Sequence, residues 1–458
     1  MTVAPAGDLA REFRQTAALA LPVMLARSGH IVLTTVDTMM TGLASAEDLA
    51  AYAIGTVPFM LVMLLGLGML TGTIVLVAQA VGAGRPQDAG AVWQLSMLNA
   101  VALGLLGLVT LLDGAALVRL LGQPKALVEP GGGVVRMLAY GLPGLLLFQA
   151  TSFFLEGIRK PAVGLAVMIG ANLLNLPLNW LLIGGHWGLP AMGAEGAALA
   201  TSIVRWLMAL AMIAFVLTMA QRRAYGVTAP LTGLRARQRR FLALGLPVAA
   251  AQGLETAAFQ VLIVFAGWLG IIQLGAFQIV LSLASLIYMA TIGIATATSV
   301  RVGNAVGRRD GQAAERAGWV GLGAGIAAMI CLGPLFLLWP TTIAGIYTSD
   351  PPVLLLAAAV LPLLAITNIT DCSQGVLAGA VRGAADVRIP TLFYVLGFWG
   401  VQAPLAWTLA FPVGMGLHGL VVAIFAGCTV VAALLSWRFR HLARHGRLLP
   451  APAPAPAT

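Results

Sequence analysis

The chain is short of charge. Only 9% of its 458 residues are Asp, Glu, Lys or Arg, where a soluble domain carries about 25%, and that shortage excludes a water-soluble globular protein. Cysteine is scarce too: Cys331, Cys372 and Cys428 sit in apolar stretches at no metal-ligand or disulfide-like spacing, so they read as small core residues and speak against redox or zinc chemistry. There is no GxxxxGK[ST] phosphate loop, which argues against ATP hydrolysis by this chain. Nor is there the alternating ten-residue pattern of a membrane β-barrel. The net charge of +10 does not signal nucleic-acid binding, because that needs cations gathered on a solvated face of a polar domain.

What is present is apolar sequence: 60% of the residues are hydrophobic and the mean hydropathy is +0.94. Twelve apolar runs fall at 16–42, 50–78, 92–112, 133–154, 162–183, 194–219, 241–266, 272–300, 317–339, 353–378, 389–411 and 415–437. Each comes near the ~20 residues that cross a bilayer as a helix. A continuous run in hydrocarbon must be helical, since only then does the backbone satisfy its own polar groups. The predicted fold is an all-α polytopic membrane protein with twelve transmembrane helices.

Charge placement orients them. The termini and even-numbered connections hold 21 of the 26 Lys and Arg residues, the odd connections only Arg119 and Lys125, while Arg27, Arg136 and Arg205 lie within or beside spans. By the positive-inside rule the rich side, with both termini, is cytoplasmic, and the membrane is the plasma (inner) membrane. A miscounted span would scramble this asymmetry. Arg11 and Arg14 precede an apolar run too long for a signal h-region, so the first helix is expected to be retained. Leu449 to Thr458, LPAPAPAPAT, reads as a disordered tail.

Two halves are related. Leu21-Pro22-Val23 recurs as Leu246-Pro247-Val248 and LAAYAI (49–54) as LGAFQI (274–279), 225 residues on. At an offset of 223, Gly84-Arg85 meets Gly307-Arg308, LEGIR (155–159) meets AGAVR (378–382), and Met192-Gly193 meets Met415-Gly416. An even number of helices separates the copies, so they share topology about an axis along the membrane normal, an arrangement of secondary transporters. The expected organisation is a cytoplasmic N-terminus (1–15), a six-helix bundle (16–220), a basic cytoplasmic linker (221–240), a second six-helix bundle (241–440) and a cytoplasmic Pro/Ala-rich tail (441–458).

Of the 16 acids, Asp37 in the first span, Glu255 in the seventh and Asp371 in the tenth lie in apolar runs. A carboxylate in hydrocarbon costs at least ~2.5 kcal/mol, so it persists where it binds something or lines a wet cavity, or as a structural partner of a neighbouring helix. Glu156 has Arg159 and Lys160 three and four residues on and reads as a solvated helix end. Arg27, ten residues before Asp37, reads as a counter-ion within the bundle. His30, seven before it, reads as a hydrogen-bonded structural histidine, with a proton relay as the sharper alternative. Asn172, Asn175 and Asn179 share a face around Pro177, offering either oxygens to a hard cation such as sodium or ties between helices. Thr367 and Asn368 lie on the face of Asp371, with the same two readings.

In order along the chain, LALPVMLARSGHIVLTTVDTMMTG (19–42), QAVGAGR (79–85), FLEGIRKPA (154–162), NLLNLPLNWLLIGG (172–185), MGAEGAALAT (192–201) and RVGNAVGRRD (301–310) resemble the multidrug and toxic compound extrusion (MATE) transporters. Glu255 and Asp371 in their sequence settings resemble the NorM-type branch. The resemblance implies a monomeric, non-enzymatic antiporter that needs no cofactor and exports amphipathic, mainly cationic compounds in exchange for Na+ or H+ by alternating access, through a cavity between two bundles. It implies a polar cluster of Asp37, Asn175, Asn179 and Thr201 in the first bundle and a cation site of Glu255 and Asp371, taking Na+ or a proton, in the second. Arg27 departs from the family pattern and bears on the charge state near Asp37. The rival reading is a lipid-linked oligosaccharide flippase of related architecture, whose cavity should be cationic to hold a pyrophosphate. An integral-membrane enzyme would need clustered His, Cys or carboxylates, and His186 and His418 lie far apart in sequence.

Overall fold

The computed structural model describes residues 6–446 and Leu448; the Pro-Ala segment 449–458 lies outside them. Among the described residues every regular element is helical, and twelve helices are long and apolar enough to cross a membrane. They are α1 (Ala6–Ala44), α2 (Ala46–Gly82), α3 (Pro86–Leu111), α4 (Lys125–Gly157), α5 (Ala162–Gly184), α6 (Gly193–Thr218), α7 (Leu234–Leu269), α8 (Ile271–Gly307), α9 (Gly311–Leu338), α10 (Pro351–Gly383), α11 (Arg388–Ala410) and α12 (Leu417–Arg444).

Most helices outrun their apolar cores. α4 has 33 residues and α8 has 37, because polar residues at the ends, such as Arg301 and Asn304, are compatible with a helix outside the hydrocarbon. The basic residues 235–240 likewise lie in the first turns of α7 rather than in a loop. Boundaries follow capping chemistry: Ser45 accepts from the Asp48 amide at 2.9 Å to start α2, Asp310 accepts from the Ala313 amide at 2.9 Å to start α9, and Gly185 at φ +68° ends α5 in the left-handed region. α2 is interrupted at Thr71, whose hydroxyl donates to the Gly68 carbonyl at 2.6 Å.

The chain forms two compact units. One comprises Leu25–Val81 and Arg85–Ala249, the other the residues up to Met24, Gly82–Gly84 and those from Ala250 onward. The divisions thus fall inside α1 and α7, three residues after Pro22 and Pro247, and not at the ends of segments 16–220 and 241–440. In the N-terminal unit α4 is the central helix, packed on α2, α3 and α6 with nearly all of its apolar stretch buried. In the C-terminal unit α10 takes that role against α8, α9 and α12. The cysteines are free, but only Cys372 and Cys428 are buried; Cys331 is exposed, correcting its reading as a core residue.

Candidate functional site

The N-terminal unit holds a polar site built around Asp37, which is 0% exposed. Three helices supply donors to it. Asn175 and Asn179 of α5 each donate Nδ2–H to Oδ1 at 2.7 Å; Tyr52 of α2 donates to Oδ2 at 2.9 Å and Thr201 of α6 at 2.5 Å. The spacing of four puts both asparagines on one face of α5. Four neutral donors match the four or so lone-pair directions of an ionised carboxylate, so the charge is held with no counter-ion in contact. A proton placed on Asp37 would require a hydroxyl to turn from donor to acceptor. Outside this cluster, α1 shows Thr34, Thr35, Thr38, Met39, Gly42 and Leu43 to an open groove of about 500 Å³ that Leu49 completes.

The C-terminal unit holds a different arrangement. Glu255 of α7 and Asp371 of α10 are half-buried and share one amide: Gln374 Nε2 donates to Glu255 Oε1 and to Asp371 Oδ1, both at 3.2 Å. Tyr394 of α11 donates its hydroxyl to Gln374 Oε1 at 2.9 Å, which fixes the amide with its N–H groups toward the carboxylates. Cys428 Sγ approaches Asp371 Oδ1 at 3.6 Å. Two carboxylates on one amide repel, and a proton or monovalent cation placed between them relieves the repulsion. Among the described residues no group of three or more His, Cys, Asp or Glu could hold a metal ion, so the pair offers a hard cation two carboxylates rather than a transition-metal centre.

Several expected neighbours lie elsewhere. Arg27 does not set the charge at Asp37: its Nη1 donates to Gln149 Oε1 at 2.6 Å and its Nη2 to Glu156 Oε1 at 3.3 Å. Ten residues of helix separate it from Asp37 by about 15 Å. Glu156 is accordingly not a solvated helix end but 5% exposed, with Ser152 donating to it at 2.9 Å, while Lys160 donates to Gln221 at 2.7 Å. His30 is not joined to Asp37 by a hydrogen bond; its ring packs edge-on against Phe148 at 6.3 Å. Thr367 turns its hydroxyl to the Leu363 carbonyl at 2.9 Å, and Asn368 is buried but makes no hydrogen bond to Asp371, whose side-chain partners are Gln374 and Cys428, so neither joins the carboxylate pair. Asn172 ties α5 to the Gly29 carbonyl of α1 at 3.2 Å. Sequence reasoning missed Tyr52, Gln374, Tyr394 and Cys428. Gln374 alone carried a signal, three residues after Asp371 on the same helix face; the tyrosines meet their partners only across helices.

Comparisons with known proteins agree on the lineage. The MatE family model matches residues 22–181 and 247–408. A probable multidrug resistance protein NorM of Caulobacter vibrioides is 34% identical over 96% of this chain and 93% of its own length, and a multidrug resistance protein NorM of Burkholderia vietnamiensis is 34% identical over 96% of each. The crystal structure of the eukaryotic MATE transporter AtDTX14 superposes with a TM-score of 0.85 at 22% identity, covering 96% of this chain and 99% of that one. The chain therefore belongs to the MatE family, the membrane transporters named for multidrug and toxic compound extrusion.

Proposed function

We propose that this protein is a secondary active multidrug efflux transporter of the inner membrane, an antiporter that exports amphipathic, mainly cationic compounds in exchange for Na+ or H+ by alternating access. The observation that carries the reading is the pair Glu255 and Asp371, two acids in apolar helices joined through the single amide of Gln374. Such a pair binds a small cation or proton, and occupancy by one cation disfavours another. That competition is the reciprocal coupling an exchanger needs. Asp37, with its four donors, is the third acid of the scheme, and the relatives named for multidrug resistance supply the substrate class. Each coupling charge that crosses with the membrane potential contributes about 2.3 kcal/mol per 100 mV, enough for roughly a fifty-fold gradient.

The flippase reading needs cationic groups free to hold a pyrophosphate. Arg27 is committed to Gln149 and Glu156 and Arg205 is buried over the Phe59 ring, which weighs against it. The deciding experiment is efflux of a fluorescent cationic dye from liposomes holding the purified protein, with sodium and proton gradients imposed separately. Dye movement driven by one gradient, and lost in Glu255→Gln or Asp371→Asn, is the expected result. Movement indifferent to both gradients would overturn the antiport scheme.

A further inference from the structure

Arg205 has no part in the scheme above, yet its side chain is only 6% exposed. Its guanidinium lies over the Phe59 ring at 4.5 Å, and its Nη1 is buried without a hydrogen-bond partner. A guanidinium cannot shed its charge, so burial of this kind is costly unless an anion nearby offsets it. The two helices that hold Arg205 are two of those that hold Asp37. α6 donates Thr201 to Asp37 at 2.5 Å and carries Arg205 one turn, about 6 Å, further on. α2 donates Tyr52 to the same carboxylate at 2.9 Å and carries Phe59 two turns further on. Arg205 lies within electrostatic reach of Asp37 and Tyr52 and of His30 of α1; Arg27, also near His30, has its own acid in Glu156.

We propose that Arg205 is the internal counter-charge of Asp37, a fixed cation that balances the buried carboxylate and bars a free monovalent cation from it, leaving Glu255 and Asp371 as the cation site of the chain. The proposal deepens the antiport reading and rests on it for the role of the second pair. The two units differ in the way this requires. Asp37 has four neutral donors and a buried arginine one turn beyond its Thr201 donor, whereas Glu255 and Asp371 have one shared amide and no ion-pair partner among the described residues, Arg382 of α10 acting on Glu255 without an ion pair.

The test is binding of Na+, and separately of tetraphenylphosphonium, to the full chain in nanodiscs. With Glu255→Gln and Asp371→Asn silencing the second site, the protein with Arg205 intact should bind neither cation saturably. Adding Arg205→Gln should create a site at least tenfold tighter than any residual binding, and adding Asp37→Asn should abolish it; Arg205→Lys should behave as the parent. A folded Arg205→Gln protein with no gain, or a gain that survives Asp37→Asn, overturns the proposal. If Arg205→Gln does not fold alone, thermal unfolding decides. A counter-charge pair makes Asp37→Asn/Arg205→Gln more stable than Asp37→Asn, and a double variant equal or less stable overturns the assignment. Gain of cation binding in that silenced background, together with no gradient-driven dye transport by the unsubstituted protein in liposomes, would instead sink the antiport reading and leave this one standing.

Discussion

Asp37 and Asp371 are both aspartates in apolar helices, held in opposite ways. Asp37 has every lone pair used, so removing one donor leaves a buried acceptor bare. Thr201→Val, close in shape, should therefore destabilise the protein by about 1–3 kcal/mol, read as a lower midpoint of thermal unfolding in detergent; an unchanged midpoint would show that Asp37 does not need its fourth donor. Asp371 instead shares Gln374 with Glu255, and the orientation of that amide depends on Tyr394. Tyr394→Phe removes about 1 kcal/mol of hydrogen bonding, and the expected outcome is roughly fivefold weaker ion-driven dye efflux at unchanged protein level. At this scale the sequence was legible where charge or an amide stood in hydrocarbon, as with Asp37, Asn175, Asn179, Glu255 and Asp371. It was not legible for Tyr52 and Tyr394, because a tyrosine in an apolar helix looks like packing until its hydroxyl meets a partner from another helix.

Helices assemble here by close approach rather than by apolar burial alone, since lipid is as apolar as any core. α4 meets α6 at Gly141, where a Cβ would lie 2.7 Å from the Ser202 Cα. Gly141→Val would meet the Ser202 side chain and, behind it, the Ser202 Cα, and that backbone atom cannot turn aside as a hydroxyl could. The variant should lose most of its folded yield, with a sharply lower unfolding midpoint for whatever remains, while Gly170→Ala on α5, with open space around it, should match the parent in a size-exclusion profile. The count and approximate position of all twelve helices could be read from hydropathy, because length and apolarity are properties of each segment alone. Their ends could not, because a cap such as Ser45 or Asp310 extends a helix past its apolar run. Nor could the interruption at Thr71 or the π-helical stretch Val395–Gln402 in α11, where tertiary packing overrides a uniform apolar pattern.

The internal repeat makes these differences between the halves interpretable. At the offset of 225, Glu255 corresponds to His30, and at 223, Asp371 corresponds to Phe148; that second couple is the edge-on His30 and Phe148 contact of the N-terminal unit. Conversely, Asp37, Tyr52, Asn175 and Thr201 correspond to Leu262, Phe277, Phe398 and Ile424, all members of the apolar core of the C-terminal unit. Each copy thus keeps the scaffold and carries its polar site where the other has packing. This accounts for one oddity. Gln402 corresponds to Asn179 and is 0% exposed, with neither its Oε1 nor its Nε2 hydrogen-bonded; the carboxylate that occupies Asn179 has been replaced in this copy by Leu262. A buried amide with both polar atoms unpaired costs about 1–3 kcal/mol for each, which an apolar side chain of similar length would not. Gln402→Met should raise the unfolding midpoint by several degrees and leave gradient-driven efflux intact. A lower midpoint, or lost transport in a well-folded variant, would show instead that the C-terminal copy still uses the polar position its partner reserves for Asp37.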